Sequence, residues 1–226
     1  MKLSKKTLIR LVKPQLIAMG FTEFKDSIFG TSGLFINKVD HGLYLSLGMN
    51  IHRFYESLFT CDLFFSRTTR IYSCWGDIPR NCCMRPGYLL NNDELLKYSK
   101  GEDMAPDIWW DASNEDDINN FFKVLNLTIP RHTANNLLIN LLYESDDLTR
   151  LCELSSLVIE MIRCGELDDH YPHSFIPCRE IDNIPMKWFC AAEIILRKER
   201  INETKYLSNL VKQLAADAYR QFRLNA

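Results

Sequence analysis

Glycine is scarce in this chain. Nine glycines in 226 residues, none adjacent to another, leave no Gly-rich run whose backbone N–H groups could cradle a phosphate. GxSxG and HExxH are missing as well, which removes the nucleophile elbow and the zincin helix. No apolar run approaches the roughly 20 residues that a membrane span requires. The opening MKLSKKTLIRLVKPQLIAMGF is broken by Lys13, Pro14 and Gln15 and has no small-residue cleavage site, unlike a secretory signal. Charge of one sign is lacking too: the formal net charge is -2, where a dedicated nucleic-acid binder would be clearly basic. These absences set the expectation of a cytoplasmic protein with no membrane and no nucleic acid among its partners.

Cysteine is the exception, with 8 in the chain, expected to stay reduced in that compartment. Four of them crowd residues 61–87, CDLFFSRTTRIYSCWGDIPRNCCMRPG. A structural zinc site needs two CxxC pairs, or CxxC with a spaced His pair. Cys74, Cys82 and Cys83 do not supply this, because adjacent cysteines chelate one ion poorly. His170 and His173 followed by Cys178 form the other candidate, in a Pro-punctuated loop without a fourth ligand. No metal and no cofactor are expected, and no catalytic residue is assigned. The stretch reads as sheet and turn, with Cys61 in a strand pattern and Cys152, Cys164 and Cys190 in helix patterns as small buried apolar groups.

What is present is hydrophobic periodicity. At 46% hydrophobic and 25% charged, the chain has ample material for a core. Leu8, Leu11, Val12, Leu16 and Met19 recur at helical spacing, with Ser4 as N-cap, Gly20 as stop and Pro14 as a kink or division. Leu43, Leu45, Leu47, Met49 and Ile51 alternate strictly with small or polar residues, the mark of a strand with one face on a core. Leu34–Val39 is its hairpin partner. Phe59, Cys61, Leu63 and Phe65 repeat the alternation, and Thr69–Cys74 adds a fourth strand.

From residue 92 the period becomes helical. Short helices are expected at Asn92, over 118–125 behind a Ser113 cap, over 137–142, and over 148–162 behind Ser145. A final pair follows at 188–199 and 203–222, with Leu207, Leu210, Val211, Leu214, Ala218 and Phe222 on one stripe. The fold class is therefore α+β: an N-terminal helix on an antiparallel sheet over 1–100, and a helical region over 101–226 integrated with it.

The opening Lys5-Lys6-Thr7-Leu8 through Leu11, Pro14, Leu16 and Gly20-Phe21 has the form K-x2-L…L-x2-P-x-L-x3-GF. It resembles small bacterial proteins grouped as domain of unknown function 4304, with Phe29 fitting the entry to the first strand. The ending WFCAAEIILRKERINETKYLSNLVKQL is similar to that group's final helix pair. The resemblance covers about the first 65 residues and the last 40, and 100–180 departs from it. It implies a helix packed on an antiparallel sheet and no catalytic residues to transfer. Some such proteins accompany secreted toxins as cognate immunity proteins, so it implies a non-enzymatic, protein-binding role with a toxin domain as partner.

The candidate interface is an acidic loop. Residues 91–118 carry nine carboxylates against two lysines, around Trp109 and Trp110. Trp anchors dominate interfaces and acidic rims steer basic partners, which nominates Asp103, Asp107, Trp109, Trp110, Asp111, Glu115, Asp116 and Asp117. A structural account competes: Glu115, Asp116 and Asp117 suit a helix N-terminus, and one tryptophan of an adjacent pair belongs inside. Basic residues gather at the N-terminus and at Arg67, Arg70, Arg80 and Arg85, and a patch facing RNA or a phosphate-bearing ligand is one reading. A solvated helix face explains the N-terminal lysines more simply. Two alternatives stay open: an enzyme with Asp77, Arg80, Arg85 and His52 lining a cleft, and an adaptor that docks partners on its final helix pair.

Overall fold

Ser4 starts the first helix by accepting a hydrogen bond at its Oγ from the Thr7 N–H at 3.1 Å. In the computed structural model, which describes residues 2–28, 30–39, 42–69, 83–99, 105–142, 146–165, 167, 181–199 and 204–226, α1 (Lys5–Ala18) then runs unbroken. Pro14 does not divide it. Pro14 lies on the exposed side with Arg10, whose carbonyl is the one deprived of a helical donor. The helix stops at Gly20, with φ at 88°. The Gly20 N–H donates to Ile17 O and the Phe21 N–H to Leu16 O, the paired bonds of a Schellman cap.

The strands β1 (Thr22–Phe24), β2 (Gly33–Val39), β3 (Leu43–Ile51) and β4 (Leu58–Ser66) form an antiparallel meander. Two short strands, β5 (Cys83–Met84) and β6 (Trp110–Asp111), both pair with the far edge of β4. The described residues thus make a six-stranded antiparallel sheet, and with the helices the fold is α+β. One face of the sheet carries the odd residues of β3 and β4 with Phe35. They share a core with Leu8, Val12 and Leu16 of α1.

The other face departs from the expectation of a half-buried strand. Leu34, Ile36, Tyr44, Ser46, Thr60, Asp62 and Phe64 are all buried as well. Polar side chains stand there because other parts of the chain satisfy them: Thr60 Oγ1 donates to Ile108 O at 3.0 Å and Asn50 Nδ2 to Asp62 Oδ2 at 2.6 Å. Ser46 is the exception, its hydroxyl buried with no partner among the described residues.

After a 3-10 turn at Pro86–Leu89 comes α2 (Asn92–Tyr98), opened by a capping box between Asn91 and Glu94. The helix α3 (Glu115–Leu142) is one element where two were expected. Pro130 removes a single hydrogen bond, while burial of Phe121, Phe122, Val124, Leu125, Thr128 and His132 holds the helix on both sides of it. Its cap is Asn114, whose Oδ1 accepts from the Asp116 N–H at 2.9 Å; Ser113 instead donates its hydroxyl to Asp111. Arg131 of α3 donates both terminal nitrogens to the Glu94 carboxylate at 2.6 and 2.7 Å, and one of them also to Leu89 O.

The chain divides into two compact units, residues 1–66 with 71–144, and residues 67–70 with 145–226. The first unit therefore takes in α3, beyond the 1–100 span read from the sequence. In the second unit, α4 (Asp146–Arg163), α5 (Met186–Lys198) and α6 (Thr204–Asn225) pack on one another. Leu207, Val211, Leu214 and Ala218 of the α6 stripe are buried there. At its centre lies Asp217, 1% exposed. One carboxylate oxygen accepts from the N–H and the hydroxyl of Thr69, both at 2.6 Å. The other accepts from Ser155 Oγ at 2.6 Å and Gln221 Nε2 at 2.9 Å. One side chain thereby ties α4 and α6 to the four-residue segment 67–70.

The strand expected over Thr69–Cys74 falls almost wholly outside the described residues, as do Ser145, His170, His173 and Cys178. Among the described residues, no helix is long and apolar enough to cross a membrane, and no three His, Cys, Asp or Glu side chains converge as a metal would require.

Two stability measurements test these ties. Bonds from Arg131 and the Asn91 N–H hold the Glu94 carboxyl down from 4.5 to about 2. Its ionised form therefore stabilises the fold above pH 4.5, and that contribution is lost as pH falls towards 2. The melting temperature of Glu94→Gln is expected to lie below that of the unsubstituted protein at pH 7, with the gap closing between those values. In the second unit, Asp217→Asn turns one acceptor into a donor facing buried donors. Urea unfolding is expected to show a loss of about 2–3 kcal/mol.

Candidate functional site

The far edge of β4 is shared. β6 pairs at Leu58 and Phe59, and β5 pairs at Leu63 and Phe64. Both strands run antiparallel to β4, so the residue after β5 and the residue before β6 approach each other opposite Thr60–Asp62. These residues are Arg85 and Trp109. The guanidinium of Arg85 lies over the Trp109 ring, 5.1 Å from its centroid. Its Nε donates to Asp62 Oδ1 at 3.3 Å, and its Nη1 is paired with Asp107.

Adjacent strand residues face opposite ways, and the two tryptophans part accordingly. Trp110 enters the core against Phe59 and Phe121, at 6.2 and 5.0 Å between ring centroids. Its indole N–H is buried with no partner among the described residues. Trp109 stays half-buried on the second face of the sheet. There it meets the edge of His52, 4.5 Å away at 75°. Gly87 permits this arrangement of the loop, since a Cβ at that position would stand 1.9 Å from the carbonyl oxygen of Pro106.

His52 opens the turn between β3 and β4. Its Nδ1 accepts from the N–H groups of Phe54 and Tyr55, each at 3.1 Å, and its ring packs 4.7 Å from that of Tyr55. The base of the turn is tied on two sides: the Leu3 N–H donates to Glu56 O at 2.7 Å and the Ala112 N–H to Ser57 O at 2.9 Å. The tip projects into solvent, with Phe54 78% and Tyr55 63% exposed. Arg53 lies over the Phe54 ring at 5.5 Å.

The loop residues nominated from the sequence thus separate. Asp107 and Trp109 belong to this surface, and Glu115 and Asp116 are exposed in the first turn of α3. Trp110 and Asp117 are buried and serve the fold, which corrects their nomination as interface residues. Asp117 Oδ2 accepts from the Asp111 N–H at 2.8 Å, and Asp111 in turn accepts from the N–H and hydroxyl of Ser113. Asp103 lies outside the described residues.

Of the four residues expected to line an enzyme cleft, Arg85 and His52 do come together around Trp109, while Asp77 and Arg80 lie outside the described residues. Phe54, Tyr55, Arg53, Asn50 and Asp62 were not nominated at all. The available signal was a turn, HRFYES, that places two aromatic residues between alternating strands with no glycine or proline to account for it.

Among the described residues, the cysteines of the stretch 61–87 are Cys61 and Cys83. Cys61 is fully buried on β4, and that burial, with the Asp62 charge beside it, pushes its thiol well above the usual range. Cys83 sits in β5, and Cys74 and Cys82 lie outside the described residues. Among family models, curated proteins and solved structures, none matches this chain.

Arg85 is the residue on which the platform turns. Its removal would leave Asp62, whose side chain is 7% exposed, with a buried charge held by Asn50. Arg85→Ala is expected to lower stability by about 2 kcal/mol in urea unfolding. Arg85→Lys should recover less than half of that, since an ammonium cannot span both carboxylates and stack on the indole.

Proposed function

We propose that this protein is a non-enzymatic binding protein that docks a protein partner on the His52–Tyr55 turn and Trp109, most concretely an immunity protein that blocks a cognate bacterial toxin by covering its active site. The exposed tip carries the reading. Phe54 and Tyr55 present large apolar surfaces to solvent on a turn whose base is fixed from two sides. Rigid aromatic side chains of this kind are the residues that anchor interfaces, because they bury much area for little conformational entropy. The resemblance of the opening helix motif to proteins found beside toxins supplies the kind of partner.

The rim favours a basic partner. Glu56, Asp107, Glu115 and Asp116 are exposed. The last two follow closely on Ala112, whose N–H reaches the turn at Ser57. Against them stand Arg53 and Arg85, the latter already paired with Asp62 and Asp107. A surplus of carboxylates around an aromatic centre speeds encounter with a positively charged surface, such as that of a toxin acting on nucleic acid.

The enzyme alternative draws less support from the same groups. Arg85 is spent on two carboxylates and an indole, and His52 Nδ1 on two backbone N–H groups, which leaves the polar atoms engaged with one another. The adaptor alternative fares similarly, because Leu207, Val211, Leu214 and Ala218 of the α6 stripe are buried.

The test pairs this chain with the product of each adjacent gene. Growth arrest by one such product, relieved by co-expression of this chain, is the expected result. Phe54→Ala with Tyr55→Ala should weaken the measured affinity by about tenfold or more while leaving the melting temperature nearly unchanged, since both side chains stand in solvent. Full affinity in that double variant would remove this surface from the interface.

A further inference from the structure

The docking surface depends on one imidazole. His52 contacts Trp109 and Tyr55 with its ring and caps the turn with its Nδ1, which accepts from two successive backbone N–H groups. This is the role an Asn or Asp side chain plays in an Asx turn. A ring nitrogen that accepts carries no proton, so these two bonds fix the neutral form with its proton on Nε2. Placing a proton on Nδ1 replaces the acceptor by a donor that faces two donors. The cap cannot survive that change.

We infer that His52 is the positioning residue of the proposed docking surface, and that the aromatic tip at Phe54 and Tyr55 is held in its docking arrangement only while the His52 Nδ1 is unprotonated. The inference rests on the docking reading for its purpose, though its geometry stands apart from it.

The charged groups around the ring do not offset the conflict. On its own turn lie Arg53, Tyr55 and Glu56. From the segment preceding α1 comes Lys2, next to the Leu3 that bonds Glu56. From the β5 and β6 side come Arg85 over Trp109, Asp107 paired with Arg85, and Asp111 at the end of β6. Asp62 is shared between Arg85 and Asn50. Asp62 and Asp107 are thus already matched to a guanidinium, and Asp111 accepts from the N–H and hydroxyl of Ser113. An imidazolium would gain attraction from the ring faces, but it would share Trp109 with the cation of Arg85. The surface is therefore expected to loosen when the His52 Nδ1 gains a proton and to re-form when it loses it.

The test is an NMR titration of the full chain from pH 8 to pH 5, with His52→Asn beside it. Asn keeps a short acceptor for the turn and does not titrate in this range. In the unsubstituted protein, the amide resonances of Phe54 and Tyr55 should move with the same midpoint as the His52 ring protons. Their exchange with solvent, corrected for the intrinsic pH dependence, should quicken about tenfold or more. In His52→Asn both amides should stay protected throughout. Phe54 and Tyr55 amides that ignore the protonation of His52 would overturn the inference, as would an identical acid response in His52→Asn. Neither outcome involves a partner. A failure here therefore leaves the docking reading to its own test with the Phe54 and Tyr55 double variant, and a failure there leaves the pH response of the turn intact.

Discussion

The continuous ladder between β3 and β4, from Tyr44 opposite Ser66 to Ile51 opposite Phe59, is the constraint on which the first unit depends. Both strands are buried on both faces along most of their length, so a slip of one residue is not available to them. A slipped β4 would turn Asp62 towards Leu47, Phe121 and α1 and carry Phe59, Leu63 and Phe65 away from them. Register is thereby fixed twice, by the core on one face and by the bonds of Asn50, Thr60 and Asp62 on the other.

That register also sets where the surface residues stand. With β4 fixed, β5 and β6 can reach its free edge only at its two ends, and Arg85 and Trp109 are delivered to the space between them. The same ladder closes at the turn that His52 opens. Asp62, Asn50, Thr60 and Arg85 are engaged in joining these segments, and the rings of Phe54 and Tyr55 are left exposed. Exposed rings at Phe54 and Tyr55 beside the exposed carboxylates of Glu56, Glu115 and Asp116 suit the proposed docking of a basic protein partner.

The sequence made the core face legible, because odd-numbered apolar residues at 43–51 and 59–65 alternate without a fault. The second face was hidden by its own chemistry. Thr60 and Asp62 look like solvent-facing residues until Ile108 O, 48 positions away, and Arg85 are known to meet them. Trp109 and Trp110 could not be told apart from composition, since the rule that separates them applies only once a two-residue strand is recognised, and two residues carry no period. The apolar spacing at 118–125 and 137–142 read as two helices, and the packing of Phe121 to His132 carries one helix through Pro130 between them. The exposed aromatic tip was missed for a related reason: the turn at 53–57 lacks the glycine or proline by which turns are usually noticed, a histidine ring supplying the backbone bonds instead.

The bond from Asp217 to Thr69 spans 148 positions, and its consequence lies in the order of synthesis. A ribosome releases the sheet strands and Thr69 long before the carboxylate that receives them exists. The segment 67–70 must wait, its N–H and hydroxyl groups open to water or to other chains, until nearly the whole of α6 has emerged. Closing so long a loop costs entropy that only the finished helices repay. Thr69 is therefore sealed only once Asp217 of α6 has been made, and until then it stands open to miscontact.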